Sequence, residues 1–277
     1  MTRQPTILLG VGATKSGTTW LFDQLASHPD CHLRAIKELH YFDTFAGGRW
    51  KRQLPKLEAR AAKAGGRLRD DLQQWIGVMR RGRLCLRDYL GYLSEGRGDR
   101  GLIGDITPSY SLLPARILRR VASMGDVRVL YLMRDPVARL WSQVRMDAKR
   151  AATHRTEIAG LAQQMLDRAL AGQGGAWMRS DYAGALKRLD AAVDPRKLCV
   201  AFYETLMTPQ GFDRITSFLG IAPHRPDFAK RVHGGVDVTL SQADRARALT
   251  ALRPQYDAVA RRAGELPAAW QASLAGV

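Results

Sequence analysis

Short apolar runs alternate along this chain with longer stretches of helical period. Thr6–Val11 reads as a buried strand. Thr18–Ser27 reads as a helix stopped by His28-Pro29-Asp30, because proline cannot continue it. An extended piece around His32–Arg34 leads into Lys37-Glu38-Leu39-His40-Tyr41-Phe42-Asp43. Leu102–Asp105, Val127–Met133 and Leu198–Phe202 read as further buried strands. Helices are expected over Pro114–Met124, Val137–Arg150, Ile158–Ala171, Ser180–Ala192, Phe212–Leu219 and Ser241–Ala263, with a break at Gly172–Gly175. Ser241 and Asp244 form an acidic capping box for the last of these, and Gly264 stands at its stop. From about Thr44 to Gly98 the pattern is helical and basic, interrupted at Gly65-Gly66 and Gly96/Gly98. Strands alternating with helices imply an α/β fold: a single domain with a central parallel sheet flanked by helices. The 44–100 segment would be an insertion or lid over the sheet's working edge, because ligands of such sheets bind beyond the carboxyl ends of the strands.

The first strand breaks into Gly10-Val-Gly12-Ala-Thr-Lys15-Ser16-Gly17-Thr18-Thr19-Trp20. Glycines let backbone N–H groups approach an anion, and the free N–H groups of the next helix turn favour negative charge. Lys15 adds a full charge, and Ser16, Thr18 and Thr19 add hydroxyl donors. The loop therefore suits a phosphate or sulfate group. It is not a Walker A sequence: Gly12 and Gly17 have that spacing, but Thr18 stands where the lysine belongs.

Size and charge narrow the picture further. The chain has 277 residues, enough to bury a large core without staples. Its three cysteines, Cys31, Cys85 and Cys199, are far apart and form no metal or disulfide pattern, so no metal site is expected. The net charge of +17 suits anionic ligands or a solvated basic surface. Residues 49–100 are densest, with 14 Lys/Arg against 6 Asp/Glu. No signal peptide or spanning segment is evident, so a cytoplasmic, bacterial protein is expected.

The run Lys15-Ser-Gly-Thr-Thr-Trp-Leu21 resembles the 5′-phosphosulfate loop of sulfotransferases that use PAPS (3′-phosphoadenosine 5′-phosphosulfate). That family's second signature is a strand, then Arg, then a helix carrying Ser. Here it reads Val127-Arg-Val-Leu-Tyr-Leu-Met133-Arg134-Asp135-Pro136-Val-Ala-Arg-Leu-Trp-Ser142. The resemblance implies a P-loop-like phosphosulfate-binding strand-loop-helix, PAPS as donor, PAP as product and no metal requirement. It implies that Lys15 neutralises charge on the leaving oxygen. Ser16, Gly17, Thr18, Thr19 and Trp20 would then cradle the 5′ group, and Arg134 and Ser142 would hold the 3′-phosphate. A C-terminal loop closing over that phosphate falls near Arg231–Gly235, with Gly234 and Gly235 as its candidates.

The acceptor hydroxyl needs a base. Glu38 and His40 lie two apart, which in an extended segment puts both on one face. The stretch resembles the E-x-H-F-F-D of heparan-type sulfotransferases, where the glutamate is base and the histidine assists. Glu38 is accordingly favoured over His40, and Asp43 is assigned to orienting the loop. One departure is Ile106, which stands where the heparan-type enzymes place a lysine. The acceptor is left open among carbohydrates, lipids and small natural products, with contact to membrane head groups also compatible with the basic segment and no nucleic-acid signature. Two other readings compete. A P-loop kinase or NTPase would use Val129–Asp135 as a Walker B strand. A non-enzymatic polyanion binder would rest on charge alone.

Overall fold

The computed structural model describes residues 4–229 and 237–276. Five strands form one sheet: β1 (Thr6–Gly12), β2 (Cys31–Leu33), β3 (Leu102–Ile106), β4 (Val127–Met133) and β5 (Leu198–Phe202). Their order is β2-β3-β1-β4-β5, and every pairing is parallel. The chain moves outward from β1 to β2, returns to β3, then crosses β1 to reach β4 and β5. The change of direction falls at β1, which is where a doubly wound sheet opens a crevice at its carboxyl edge.

Alternation along the strands explains why both faces are covered. Ile7, Leu9 and Val11 of β1 join Val127, Val129, Tyr131 and Met133 of β4 in one apolar cluster. Leu8, Leu130 and Leu132 point the other way, into a second cluster with Trp20, Leu21 and Phe212. Successive side chains of a strand face opposite sides, so a sheet buried on both faces needs such continuous apolar runs. Ile106, at the end of β3, lies against β1 so closely that a Cβ on Gly10 would sit 2.8 Å from its Cγ2. Its role is packing, and it presents no charge at the site.

The basic segment after β2 folds into helices Trp50–Lys63, Gly66–Arg80 and Leu86–Ser94. Their inward residues, among them Leu57, Leu72, Trp75 and Tyr89, belong to the first core cluster. Trp75 packs against Tyr41, Tyr89 and Tyr92. The expected break falls at 171–173, and Gly174 and Gly175 already start a helical turn, Gly174–Met178. The next helix begins at Tyr182 rather than Ser180, because Asp181 caps it by accepting from the Gly184 N–H at 2.8 Å. Ser241 caps Gln242–Ala263 by accepting from the Asp244 N–H at 3.0 Å, and Gly264 ends that helix at a φ of 81°. No helix among the described residues is long and apolar enough to cross a membrane.

Candidate active site

Each strand delivers its following residues to one edge of the sheet. In lateral order these are Lys37–His40 after β2, Thr107–Leu112 after β3, Ala13–Gly17 after β1, Arg134 after β4 and Tyr203-Glu204 after β5. Neighbouring strands lie about 4.8 Å apart, so these loops form one continuous rim.

The loop after β1 turns into helix Thr18–Ala26 at Gly17, whose φ of 85° is closed to most side chains. A Cβ there would meet the Tyr203 ring at 2.5 Å, so the ring seats directly on the loop. The N–H groups of Thr18, Thr19 and Trp20 are the first three of the helix and have no intrahelical acceptor. Lys15 Nζ makes no ion pair among the described residues, and touches Met146 Sδ at 3.6 Å. Burial lowers its pKa, and the positive charges of Arg134, Arg150 and Arg145 lower it further. Lys15 and Arg134 thus meet at the loop, with Arg150 and Arg145 adding positive charge and Asp147 opposing it.

The sequence offered the Ser16 hydroxyl as a donor and Trp20 as part of the cradle; the structure turns both side chains inward. Ser16 is fully buried beside the Tyr182 hydroxyl, and its N–H donates to Ala13 O at 3.3 Å. Trp20 stacks on Phe228, and its indole N–H donates to Asp227 O at 3.2 Å. An indole is too large and apolar to leave the core for an anion; its backbone N–H alone faces the cradle.

Arg134 is held by contacts that the sequence did not reveal. Its N–H donates to the Tyr182 hydroxyl at 3.2 Å, and that hydroxyl donates back to Arg134 O at 2.7 Å. The guanidinium lies 5.1 Å over the Tyr203 ring and donates to Lys15 O at 3.4 Å. It pairs with no carboxylate among the described residues. Asp135 is engaged elsewhere: it caps helix Pro136–Ala151 through the Ala138 N–H and accepts from the Tyr256 hydroxyl at 2.7 Å. Its own N–H donates to Glu204 Oε1 at 2.9 Å. A Walker B carboxylate must be free for magnesium, so the kinase or NTPase reading loses its second element as well. Ser142 lies one helical turn before Met146, on the face that meets Lys15.

At the other end of the rim, His40 sits between two carboxylates. Its Nδ1 is 2.9 Å from Asp43 Oδ2, and its Nε2 is 3.4 Å from Glu38 Oε2. Ser109 Oγ donates to Asp43 Oδ2 at 2.8 Å and lies 3.1 Å from His40 Nδ1. Burial alone would lower the His40 pKa, but the hydrogen bonds and charges of Asp43 and Glu38 outweigh it and push the value up to about 9. Burial alone would raise the Glu38 pKa, but His40 and Lys37 bring it down to about 2. At neutral pH the cluster is therefore an imidazolium donating to two carboxylates, with Lys37 Nζ on the outer Glu38 oxygen.

The expectation of an extended segment here is overturned. Glu38 and His40 have φ values of 65° and 52°, and Lys15 has 69°. Among the described residues these are the non-glycine positions with positive φ. Such conformations cost about 1–2 kcal/mol each and persist where surrounding contacts over-determine them. For the Glu38–His40 turn the contacts come from Asp105. It is buried, its Oδ1 accepts from Thr107 Oγ1 at 2.6 Å, and its Oδ2 accepts from Tyr110 and Tyr89 at 2.7 and 2.9 Å. The His40 N–H approaches Thr107 Oγ1 at 3.5 Å, and the Tyr41 N–H donates to the Tyr110 hydroxyl at 3.0 Å. Asp105 is a scaffold for the turn. Gly234 and Gly235 lie outside the described residues.

The sequence matches the Sulfotransferase family over residues 7–225, and the chain belongs to that family. No curated protein sequence matches it. A sulfotransferase from Alicyclobacillus acidocaldarius superposes with a TM-score of 0.62 at 19% identity, covering 98% of this chain and 100% of that one. The sulfotransferase domain of the Synechococcus PCC 7002 olefin synthase gives 0.53 at 18% identity, with 96% of each chain covered. That of the curacin biosynthetic pathway gives 0.51 at 22% identity, covering 87% of this chain and 81% of that one. These likenesses show a shared fold.

Proposed function

We propose that the protein transfers a sulfuryl group from PAPS to a hydroxyl of an acceptor. One observation carries this reading: Lys15, Glu38 and His40 are all held at positive φ along one rim of the sheet. The residues suit the donor. Lys15, the helix N–H groups without intrahelical acceptors and an Arg134 guanidinium that pairs with no carboxylate among the described residues match a nucleotide with phosphates at two positions. PAPS, when bound, supplies an activated sulfuryl group on a phosphate leaving group.

The chain's own residues then divide the work. The N–H groups of Thr18, Thr19 and Trp20 hold the 5′ phosphate oxygens. Lys15 opposes the negative charge that grows on the leaving oxygen, a role that preorganised cations perform without reorganisation. Arg134 grips the 3′-phosphate with two parallel N–H donors, and Ser142 adds a hydroxyl. Glu38 accepts the proton of the acceptor hydroxyl once the acceptor oxygen has bonded to sulfur and the bond from sulfur to the phosphate oxygen has broken. His40, charged and donating, keeps Glu38 ionised and aimed, so it does not itself serve as the base. A carboxylate held this acidic is a weak base. Proton transfer therefore falls late, after the new bond has made the acceptor hydroxyl acidic, as suits a loose transition state.

The test is transfer of labelled sulfate from PAPS to a panel of carbohydrate, lipid and phenolic hydroxyls. Label should appear in at least one acceptor class with the wild-type protein and vanish with Lys15→Ala. Equal incorporation by Lys15→Ala would contradict the assignment.

A further inference from the structure

A cavity of about 670 Å³ opens beside the Glu38–His40 turn. Its lining includes His40, Asp43 and Ser109, which hydrogen-bond to one another, and His40 in turn pairs with Glu38 at 3.4 Å. One wall comes from the start of helix Trp50–Lys63, the other from Leu112–Ile117, and Met178-Arg179 stands at the rim.

The charge on this lining is one-sided. Arg49, Arg52, Lys56, Arg116 and Arg179 all line the cavity. None of them makes an ion pair among the described residues. The lining's one carboxylate, Asp43, is already bound to His40 and Ser109. The first wall is also regular: positions 49, 52, 53 and 56 follow the i, i+3, i+4, i+7 rule and so share one helix face. That face is cationic over about 10 Å, the rise of seven helical residues. These cations line a concavity that also exposes His40, the ion-pair partner of Glu38. The second wall carries Leu112, Leu113 and Ile117 beside Arg116, and Met178, also on the lining, is 56% exposed.

We infer that the acceptor is a hydroxyl compound with an apolar body and an anionic group, carboxylate or phosphate, which Arg52, Lys56 and Arg116 bind while its hydroxyl points at Glu38. This deepens the sulfotransferase reading above and rests on it for the direction of the hydroxyl. The charge complementarity itself rests on the cavity alone. An anion bound among these cations would also be steered to the site from solution.

The probes are a matched pair, 4-hydroxyphenylacetate and its neutral amide, titrated calorimetrically into the protein with and without saturating PAP. Wild type should bind the anion roughly tenfold or more tightly than the amide, the ratio one charge-assisted hydrogen bond supplies. The double variant Arg52→Glu/Lys56→Glu, and separately Arg116→Glu, should reduce that ratio to below about threefold while PAP affinity stays unchanged. These side chains are on the surface, so the fold should survive. Equal binding of the two probes, binding of neither, or a preference that persists in both variants overturns the inference. Failure of PAP to bind would strike the donor assignment instead, and the titrations without PAP would still decide the charge preference.

Discussion

Nε2 of His40 lies 3.4 Å from Oε2 of Glu38, while the opposite nitrogen of the same ring lies 2.9 Å from Asp43. One imidazole thus joins two carboxylates, and its charge state sets theirs. The His40 pKa, raised to about 9, gives an imidazolium throughout the neutral range. Its stabilising contribution is complete below the unfolded value of about 6.5 and fades as pH rises through about 9. The Glu38 contribution has the opposite sense: it is present above the unfolded value of about 4.3 and fades as pH falls toward about 2. Nuclear magnetic resonance of the ring should show His40 titrating near 9, moving down toward 6.5 in Glu38→Gln and in Asp43→Asn. A wild-type value near 6.5 would contradict the arrangement.

The division of roles between the two residues predicts unequal mutants. Glu38→Gln keeps the shape and removes the proton acceptor, so turnover should fall roughly 10²–10⁴-fold, the usual worth of a positioned base. His40→Gln retains a donor to Glu38 and should lose less, with the pH profile shifted rather than abolished. Steady-state rates against pH distinguish the two. A larger loss in His40→Gln than in Glu38→Gln would make His40 the base.

Lys15 should matter in the transition state more than in binding. Lys15→Ala is expected to lower kcat roughly 10²–10³-fold with a smaller effect on PAP affinity. Arg134→Ala should do the reverse and chiefly weaken PAP. Measuring kcat and the PAP dissociation constant for both variants checks the split.

The Asp105 scaffold makes a stability prediction away from the chemistry. Asp105→Ala leaves the hydroxyls of Thr107, Tyr110 and Tyr89 without their shared acceptor. The expected loss is about 3 kcal/mol, read as a drop in urea midpoint at constant slope. A loss below about 1 kcal/mol would mean that the turn is held by something else.

Much of the fold could be read in advance because its strands are buried on both faces. Runs such as Val127–Met133 are apolar apart from Arg128 near the start and the Tyr131 hydroxyl, and Gly12, Lys15 and Gly17 announce the loop. The Arg134 clamp was not legible, since Tyr182, Glu204 and Tyr256 arrive from 48, 69 and 121 residues along the chain, the first on Arg134 and the others on Asp135. The pairing of Glu38 with His40 was anticipated, but from the wrong backbone. Their spacing suggested a strand, whereas Asp105 and Thr107 hold a left-handed turn that brings the side chains together by another route. The inward turn of Trp20 was likewise hidden, because its partners Asp227 and Phe228 lie some two hundred residues away.

The central claim is that this rim holds a nucleotide phosphorylated at both the 5′ and 3′ positions. Thermal unfolding with PAP, with ADP and ATP–Mg as controls, tests it most directly. PAP at a hundredfold its dissociation constant should add about 2.7 kcal/mol and raise the melting temperature by several degrees. ADP should do much less, and Arg134→Ala should lose the response to PAP. A shift with ATP–Mg alone, or equal shifts with PAP and ADP that survive Arg134→Ala, would contradict the account.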